Sequence, residues 1–325
     1  MSETVLNETV LSEIPSLGRL YLGAAGAAAK ARLSSAEAPT ELPAARHTVH
    51  SARVELDRLA AFQRLVLHSA SDYLPSGYVH TFAFPVALSL MARDDFPLPL
   101  LGMVHLGNRV QHFRPIHYTE PLTVTAWAEN LAGHRSGTQV ELVVEVRAPD
   151  SAAADPAGEL VWRGRSTYLA KGVFLTRFDR PQAPAQRPDF VPPQPTALWR
   201  LGADAGRNYA MVSGDFNPIH LSRLSAKALG MKRSLAHGMY LASRVVGDAV
   251  PDALDAFEWK IDFEAPVFLP ATLSLNVCDR EEDGGYAGTT FTGWNARSLR
   301  RHFAGTVTPL DTAAAKVGET AETLS

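Results

Sequence analysis

The stretch SGDFNPIH, residues 213–220, combines an aspartate and a histidine in one short polar segment that also contains a proline. Asp215 and His220 are both residue types that accept or donate protons. They lie five positions apart with Pro218 between them, so we do not expect both on one regular helix. Gly214 permits a tight turn, and a proline moves the residue before it out of the helical region. The pattern predicts a loop that directs both side chains to one point.

A second short segment, AHGM at residues 236–239, leads into GMYLASRVVGDAV, which has the pattern of a helix. We expect Gly238 at the start of that helix, where backbone N–H groups have no acceptor within the helix. Such an N–H, aided by the helix dipole, stabilises a carbonyl oxygen that gains negative charge. The segment from Tyr209 to Val245 therefore offers a carboxylate, an imidazole and an oxyanion donor, which are the groups needed to add or remove water next to a thioester carbonyl.

Segments with the alternation of β-strands surround this region. Four of them follow the helix, at residues 258–267, 271–279, 286–295 and 299–308; four more, at 103–113, 122–130, 138–147 and 159–170, follow a helical pattern at 78–92. Pro266 follows Pro115, and Leu273 follows Leu122, by the same 151 positions, which indicates a tandem duplication. We predict an α+β fold in which each half is a long helix wrapped by an antiparallel sheet.

Composition divides the chain further. We predict that residues 1–45, which include an alanine-rich part, form a flexible N-terminal segment. Residues 179–197 are rich in proline and indicate a linker, and residues 311–325 indicate a flexible tail. The two folded domains are then residues 46–178 and residues 198–310. Only the second contains the SGDFNPIH pattern, so we predict one active site per chain.

Overall charge and cysteine content exclude several classes of protein. The formal net charge is −3, which does not favour binding to nucleic acid. Cys278 is the single cysteine, so an internal disulfide is excluded. The N-terminus is acidic and lacks a basic region, and no apolar run reaches about 18 residues. We therefore expect a cytoplasmic protein with neither a signal peptide nor a membrane span.

SGDFNPIH followed by AHGM resembles the hydratase-2 motif of the MaoC-like (R)-specific enoyl-CoA hydratases and 3-hydroxyacyl dehydratases. The resemblance implies a tandem hot-dog fold and reversible hydration of trans-2-enoyl thioesters to (R)-3-hydroxyacyl thioesters in fatty acyl metabolism. It implies that Asp215 and His220 activate the water and that the Gly238 N–H binds the thioester oxygen. The residues that it implies as supporting are Asn217, Ser213, Tyr209 and His237.

The first half departs from the motif, because ASDYLPSGYV lies between Ser69 and His80 and the Asp-x-Asn-Pro-x-His pattern is missing. The resemblance then implies a degenerate hot-dog domain that binds the acyl chain. Lys227, Lys232 and Arg233 follow the motif closely; they form either a solvated face or a site for the phosphates of CoA or an acidic acyl carrier protein. A tandem pair satisfies its own sheet edges, so we predict a monomer or a homodimer.

Other functions are compatible with parts of the pattern. Asp215, His220 and His237 are ligand types for a metal, but the motif explains them without one, and we predict neither metal nor cofactor. A hot-dog thioesterase, a non-catalytic acyl-binding protein and an enzyme acting on branched dicarboxylic acyl-CoA are the alternatives. The carrier, the length and branching of the acyl chain, the physiological direction and the pathway stay open.

Overall fold

The computed structural model describes residues 7–31, 39–149, 158–176, 178, 189–228 and 230–311. Residues 179–188 of the predicted linker and residues 312–325 of the predicted tail lie outside these ranges. The strands are β1 Asn7–Leu11, β2 Ala45–Ala52, β3 Met103–His112, β4 Leu122–His134, β5 Gly137–Ala148, β6 Glu159–Lys171, β7 Ala197–Leu201, β8 Phe257–Phe263, β9 Ala271–Glu282, β10 Gly285–Trp294 and β11 Arg301–Pro309. The helices are α1 Leu17–Ala31, α2 Leu56–Leu65, α3 Ser76–Met91, α4 Ala205–Ser213, α5 Pro218–Leu221, α6 Arg223–Ala228 and α7 Gly238–Ala249.

One continuous sheet joins the two halves of the described chain. Its order is β1-β2-β4-β5-β6-β3-β8-β11-β10-β9-β7. Leaving out β1, the first half reads β2-β4-β5-β6-β3 from its edge inward, and the second half reads β7-β9-β10-β11-β8 in the same way. The halves meet where β3 pairs antiparallel with β8, and Arg109 lies opposite Lys260, again 151 positions apart. The predicted α+β fold with two equivalent halves is confirmed.

The long helix of each half packs against this sheet. Almost every residue of α3 is buried, and it packs against β2, β4, β5 and α7. Gly77 on α3 lies so close to Ser243 on α7 that a Cβ at position 77 would collide with the serine side chain. The close approach of the two helices places the start of α7 beside the first half of the chain.

Two tryptophans from different halves converge on Ser76, the first residue of α3. Trp162 on β6 and Trp259 on β8 are fully buried, and their indole nitrogens donate to Ser76 Oγ at 3.0 Å and 2.8 Å. The hydroxyl therefore satisfies two buried donors at the junction of the halves.

Replacing Ser76 with alanine should lower the free energy of unfolding by about 2 kcal/mol or more, because both buried indole N–H groups lose their acceptor. Denaturant unfolding measures the loss. Ser243→Ala is the matched control, since Ser243 is equally buried and its hydroxyl has no hydrogen-bond partner among the described residues. Equal stability of the two variants would contradict the role of Ser76.

The N-terminal region differs from the predicted flexible segment over residues 7–31. Strand β1 pairs in parallel with β2, and Thr48 Oγ1 donates to Glu8 Oε1 at 2.6 Å. Helix α1 follows, and its first residue, Leu17, is 4 % exposed. The reason is an apolar stripe at helical spacing: Leu17, Leu20, Tyr21 and Ala24 all pack against the core.

None of the described helices is both long enough and apolar enough to span a bilayer.

Candidate active site

The loop that carries Asp215 begins at the end of α4. Residues 205–213 form α4, which is helical up to Ser213. Gly214 then adopts a left-handed conformation, φ 79°, and its N–H donates to the Ala210 carbonyl. Arg58, on α2 of the first half, donates to the carbonyls of Val212 and Ser213 at 2.8 Å and 2.7 Å. These contacts satisfy carbonyls that a helix end leaves unpaired.

Asp215 is held by its own loop and by a distant helix. Its backbone N–H donates to Ser213 Oγ at 3.1 Å. Its carboxylate Oδ1 accepts the Asn217 N–H at 3.2 Å and the hydroxyl of Tyr21, on α1, at 2.8 Å. The other oxygen, Oδ2, lies 3.7 Å from His237 Nε2. One carboxylate oxygen is therefore occupied by two donors, whereas Oδ2 is less constrained.

His220 lies on the short helix α5, which begins at Pro218 and is capped by the Asn217 side chain. Its Nδ1 lies 2.9 Å from the carbonyl oxygen of Leu235. Because a carbonyl only accepts, Nδ1 carries the proton and Nε2 keeps a lone pair. The fold thus presents His220 as a proton acceptor.

His237 lies against both Asp215 and His220. Its Nε2 lies 3.0 Å from the backbone carbonyl of Asp215, so this nitrogen donates to the loop. Its ring stacks on the ring of His220, with the centroids 3.6 Å apart and the planes inclined by 26°. His237 is 3 % exposed. His237 therefore contacts both Asp215 and His220.

Gly238 is the first residue of α7, as its pattern predicted, and His237 is the N-cap. Its N–H therefore belongs to the first turn, where donors lack intrahelical acceptors and the helix dipole is positive. A Cβ at this position would lie 3.0 to 3.2 Å from the ring of Phe263. Glycine allows this ring to approach the helix start closely.

The charges of the site follow from burial and from these contacts. Burial raises the pKa of Asp215, but His237, His220, the Tyr21 hydroxyl and the Asn217 N–H together hold it below its ordinary value. Burial lowers the pKa of His220, although Asp215 and the Leu235 carbonyl oppose the shift. Burial and the neighbouring His220 lower the pKa of His237 to about 3. At neutral pH the site holds an ionised carboxylate and two neutral imidazoles.

Tyr209 and Tyr21 have different relations to this cluster. The Tyr209 hydroxyl pairs with Thr81 Oγ1 of α3 at 3.0 Å, and its ring packs on His237 at 4.8 Å. Tyr209 therefore joins the site to the first half and has a supporting position. Sequence reasoning missed Tyr21, which lies 194 positions before Asp215. The apolar stripe of α1 indicates a packed helix but gives no sign of which partner it contacts.

Asp215, His220 and His237 each offer one ligand atom, and these atoms lie within 4.8 Å of one another. An imidazole binds a metal in the plane of its ring, and the planes of two rings stacked 3.6 Å apart do not meet within bonding distance. His237 Nε2 and His220 Nδ1 are also engaged with carbonyls.

Lys227, Lys232 and Arg233 are all exposed. Lys227 lies in the last turn of α6, and the other two lie in the loop between α6 and α7. Leu235, whose carbonyl holds His220, is two residues beyond Arg233. The three cations therefore lie on the surface segment that leads into the site.

Comparison with known proteins agrees with this geometry. The MaoC like domain matches residues 179–291. The chain is 32 % identical over 246 residues to 3-hydroxyacyl-thioester dehydratase X of Mycobacterium tuberculosis, covering 76 % of this chain and 84 % of that protein. It is 32 % identical over 97 residues to the (R)-specific enoyl-CoA hydratase of Aeromonas caviae, covering 28 % of this chain and 72 % of that one.

The crystal structure of HtdX from Mycobacterium tuberculosis is similar in fold, with a TM-score of 0.67 and 30 % identity, over 82 % of this chain and 100 % of the other. The structural similarity to HtdX extends through both halves of the sheet. The MaoC like domain, in contrast, lies mainly in the second half. The chain therefore belongs to the MaoC-like dehydratase family and has a double hot-dog fold.

Proposed function

We propose that the chain is a hydro-lyase that reversibly hydrates trans-2-enoyl thioesters to (R)-3-hydroxyacyl thioesters, with its site in the second half. The observation that carries the proposal is the pairing of an ionised Asp215 with a neutral His220 whose Nε2 is available. This pair lies next to the N-terminus of α7 in a member of the MaoC-like family. The thioesterase alternative is not favoured, since both curated relatives are named for hydration or dehydration.

In hydration, the substrate water is held between Asp215 Oδ2 and His220 Nε2. His220 accepts one proton while the water oxygen forms a bond to C3 of the enoyl group, and Asp215 accepts a hydrogen bond from the other O–H. The negative charge of the carboxylate stabilises the imidazolium that forms. General base catalysis of this kind contributes about 10²- to 10⁴-fold.

As the C–O bond forms, the C2–C3 double bond shifts toward C1 and the thioester oxygen becomes negative. The Gly238 N–H and the positive end of α7 stabilise that oxygen. The proton on His220 is then delivered to C2 from the same face, which regenerates the neutral imidazole and gives the (R)-3-hydroxyacyl product by syn addition. Dehydration follows the same steps in reverse.

The first test is a hydration assay with crotonyl-CoA and with a medium-chain trans-2-enoyl-CoA, followed by loss of the conjugated thioester absorbance. We expect turnover of the enoyl thioesters and no release of free thiol from saturated acyl-CoA. Thiol release without hydration would favour a thioesterase. A folded protein that is inactive on both CoA and carrier-protein thioesters would contradict the proposed reaction.

The role of the first half in binding the acyl chain is also a proposal. It is supported by Phe263, whose ring borders Gly238 and lies 5.1 Å from the ring of His105 on β3. His105 in turn stacks on Tyr168 of β6 at 4.5 Å. Side chains of the first half therefore border the oxyanion position. The cytoplasmic location and the monomeric or homodimeric state stay predictions.

For the carrier, we expect the exposed cations to bind the phosphates of CoA or the acidic surface of an acyl carrier protein. Replacing Lys227, Lys232 and Arg233 together with alanine should raise KM severalfold and leave kcat nearly unchanged, because the charges act on the carrier and not on the reacting atoms. Steady-state kinetics at two salt concentrations measures the effect, which should weaken at high salt. The matched control replaces three exposed cations elsewhere, Arg135, Lys171 and Arg297. Equal effects of the two triple variants would contradict the assignment.

A further inference from the structure

The N-terminal helix α1 lies outside both repeated halves, yet it reaches the candidate active site. Leu17, on its first turn, lies beside Gly214: a Cβ built on that glycine would be 3.9 Å from Leu17 Cδ1. One turn later, Tyr21 donates its hydroxyl to Asp215 Oδ1 at 2.8 Å. The helix therefore contacts the Gly214–Asp215 loop at both residues.

Two further contacts keep this helix in place. It packs against α3, and β1 extends the sheet next to β2. The buried Leu17 side chain and the partly buried Leu20 and Ala24 form the apolar face that holds it there. Tyr21 lies on the same face, so the packing of α1 determines where its hydroxyl is.

We infer that Tyr21 is a positioning residue: its hydroxyl holds Oδ1 of Asp215 so that Oδ2 is directed to the reacting water, and α1 thereby completes the active site. The inference rests on the proposed function only for the identity of the reaction. The supporting geometry is that the two carboxylate oxygens of Asp215 have different contacts. Oδ1 accepts two hydrogen bonds, whereas Oδ2 lies 3.7 Å from His237 Nε2.

The electrostatics agree with this role. Burial raises the pKa of Tyr21, and the adjacent Asp215 raises it further, so the hydroxyl stays protonated and acts as a donor. A hydrogen bond to the charged form of a carboxyl favours that form. Tyr21 therefore helps to keep the pKa of Asp215 low in a buried position.

Several titratable or charged groups surround Asp215 and influence how its ionisation depends on pH. Those of the second half are Tyr209, His220 and His237; those of the first half are Arg58, His80, His105 and Tyr168. Burial lowers the pKa of His80 to about 3 and that of His105 to about 4, and it raises the pKa of both tyrosines. Near neutral pH His80 and His105 are therefore neutral, and Tyr168 and Tyr209 stay protonated.

The test is Tyr21→Phe, which removes the hydroxyl and keeps the ring. We expect kcat/KM to fall about tenfold or more, as for loss of a hydrogen bond to a charged group. Loss of the donor raises the pKa of Asp215. A purely structural role of Tyr21 would leave that pKa unchanged.

Tyr78→Phe is the matched control. Tyr78 on α3 is 1 % exposed, and its hydroxyl has no hydrogen-bond partner within the described chain. This variant should keep both the rate and the Asp215 pKa of the wild type. Thermal unfolding of both variants checks that the fold is retained.

A measurement made without substrate tests the role of Tyr21 independently of the proposed reaction. The Asp215 carboxyl can be titrated by carbon-13 NMR of protein labelled at aspartate, with Asp215→Asn identifying its signal. Tyr21→Phe should raise the pKa of Asp215 even if the wild type hydrates no enoyl thioester. An unchanged pKa together with an unchanged rate would overturn the inference, while an inactive wild type with the expected shift would overturn only the reaction.

Discussion

Asp215→Asn and His220→Ala should each reduce kcat for enoyl thioester hydration by on the order of 10²- to 10⁴-fold, because each removes one of the groups that hold and deprotonate the water. The amide of Asn keeps the shape of Asp215 but cannot stabilise an imidazolium with a full negative charge. Alanine at position 220 removes the only lone pair that we assign to the base. Steady-state kinetics on crotonyl-CoA measures both losses.

The double variant provides a sharper check. Since both residues act on the same water, removing the second should cost much less than removing the first, so the two effects should not multiply. Asp252→Asn, at an exposed aspartate beyond α7, is the control and should keep wild-type activity. If either single variant retained more than about a tenth of the wild-type kcat, the assignment of that residue to general base catalysis would be wrong.

Gly238→Pro should reduce kcat by on the order of 10²-fold or more, because proline removes the backbone N–H that we assign to the thioester oxygen. The first position of a helix tolerates proline better than any other, since its N–H has no intrahelical acceptor. His237, which precedes it, already has φ −66° and ψ 136°, a conformation that a residue before proline adopts readily. The substitution is therefore directed at the donor and not at the helix.

Gly238→Ala is the matched control for the added side-chain atoms. Its Cβ meets the Phe263 ring at 3.0 to 3.2 Å, as a proline Cβ also would, but the N–H is kept. We expect the alanine variant to lose activity only modestly and the proline variant to lose far more. Equal losses would mean that the contact with Phe263, and not the donor, explains the effect.

Much of the site can be predicted from local sequence. Asp215, Asn217, Pro218 and His220 lie within six residues of one another, so a turn with a left-handed glycine and a proline at the first position of α5 is enough to bring them together. The short range of these constraints is the physical reason that a sequence pattern predicts them. The two equivalent halves were predictable because strand alternation repeats with one offset.

Other features depend on contacts between distant parts of the chain. Helix α4 extends to Ser213 because Arg58, more than 150 positions earlier, satisfies its last carbonyls. Tyr21 reaches Asp215 from a segment that its alanine-rich composition led us to predict as flexible. A local pattern shows that α1 has an apolar face, but the surface that this face covers follows from the packing of the whole domain.

The repeated α+β architecture and the segment that carries the proposed chemistry follow from local sequence, since both depend on periodicity and on turns within a few residues. Contacts within the folded chain specify which oxygen of Asp215 is held and which nitrogen of His220 keeps its lone pair. The same contacts bring Tyr21 of α1 to Asp215. Those properties depend on hydrogen bonds and burial between elements far apart in the chain, and no local pattern specifies the partners of such contacts.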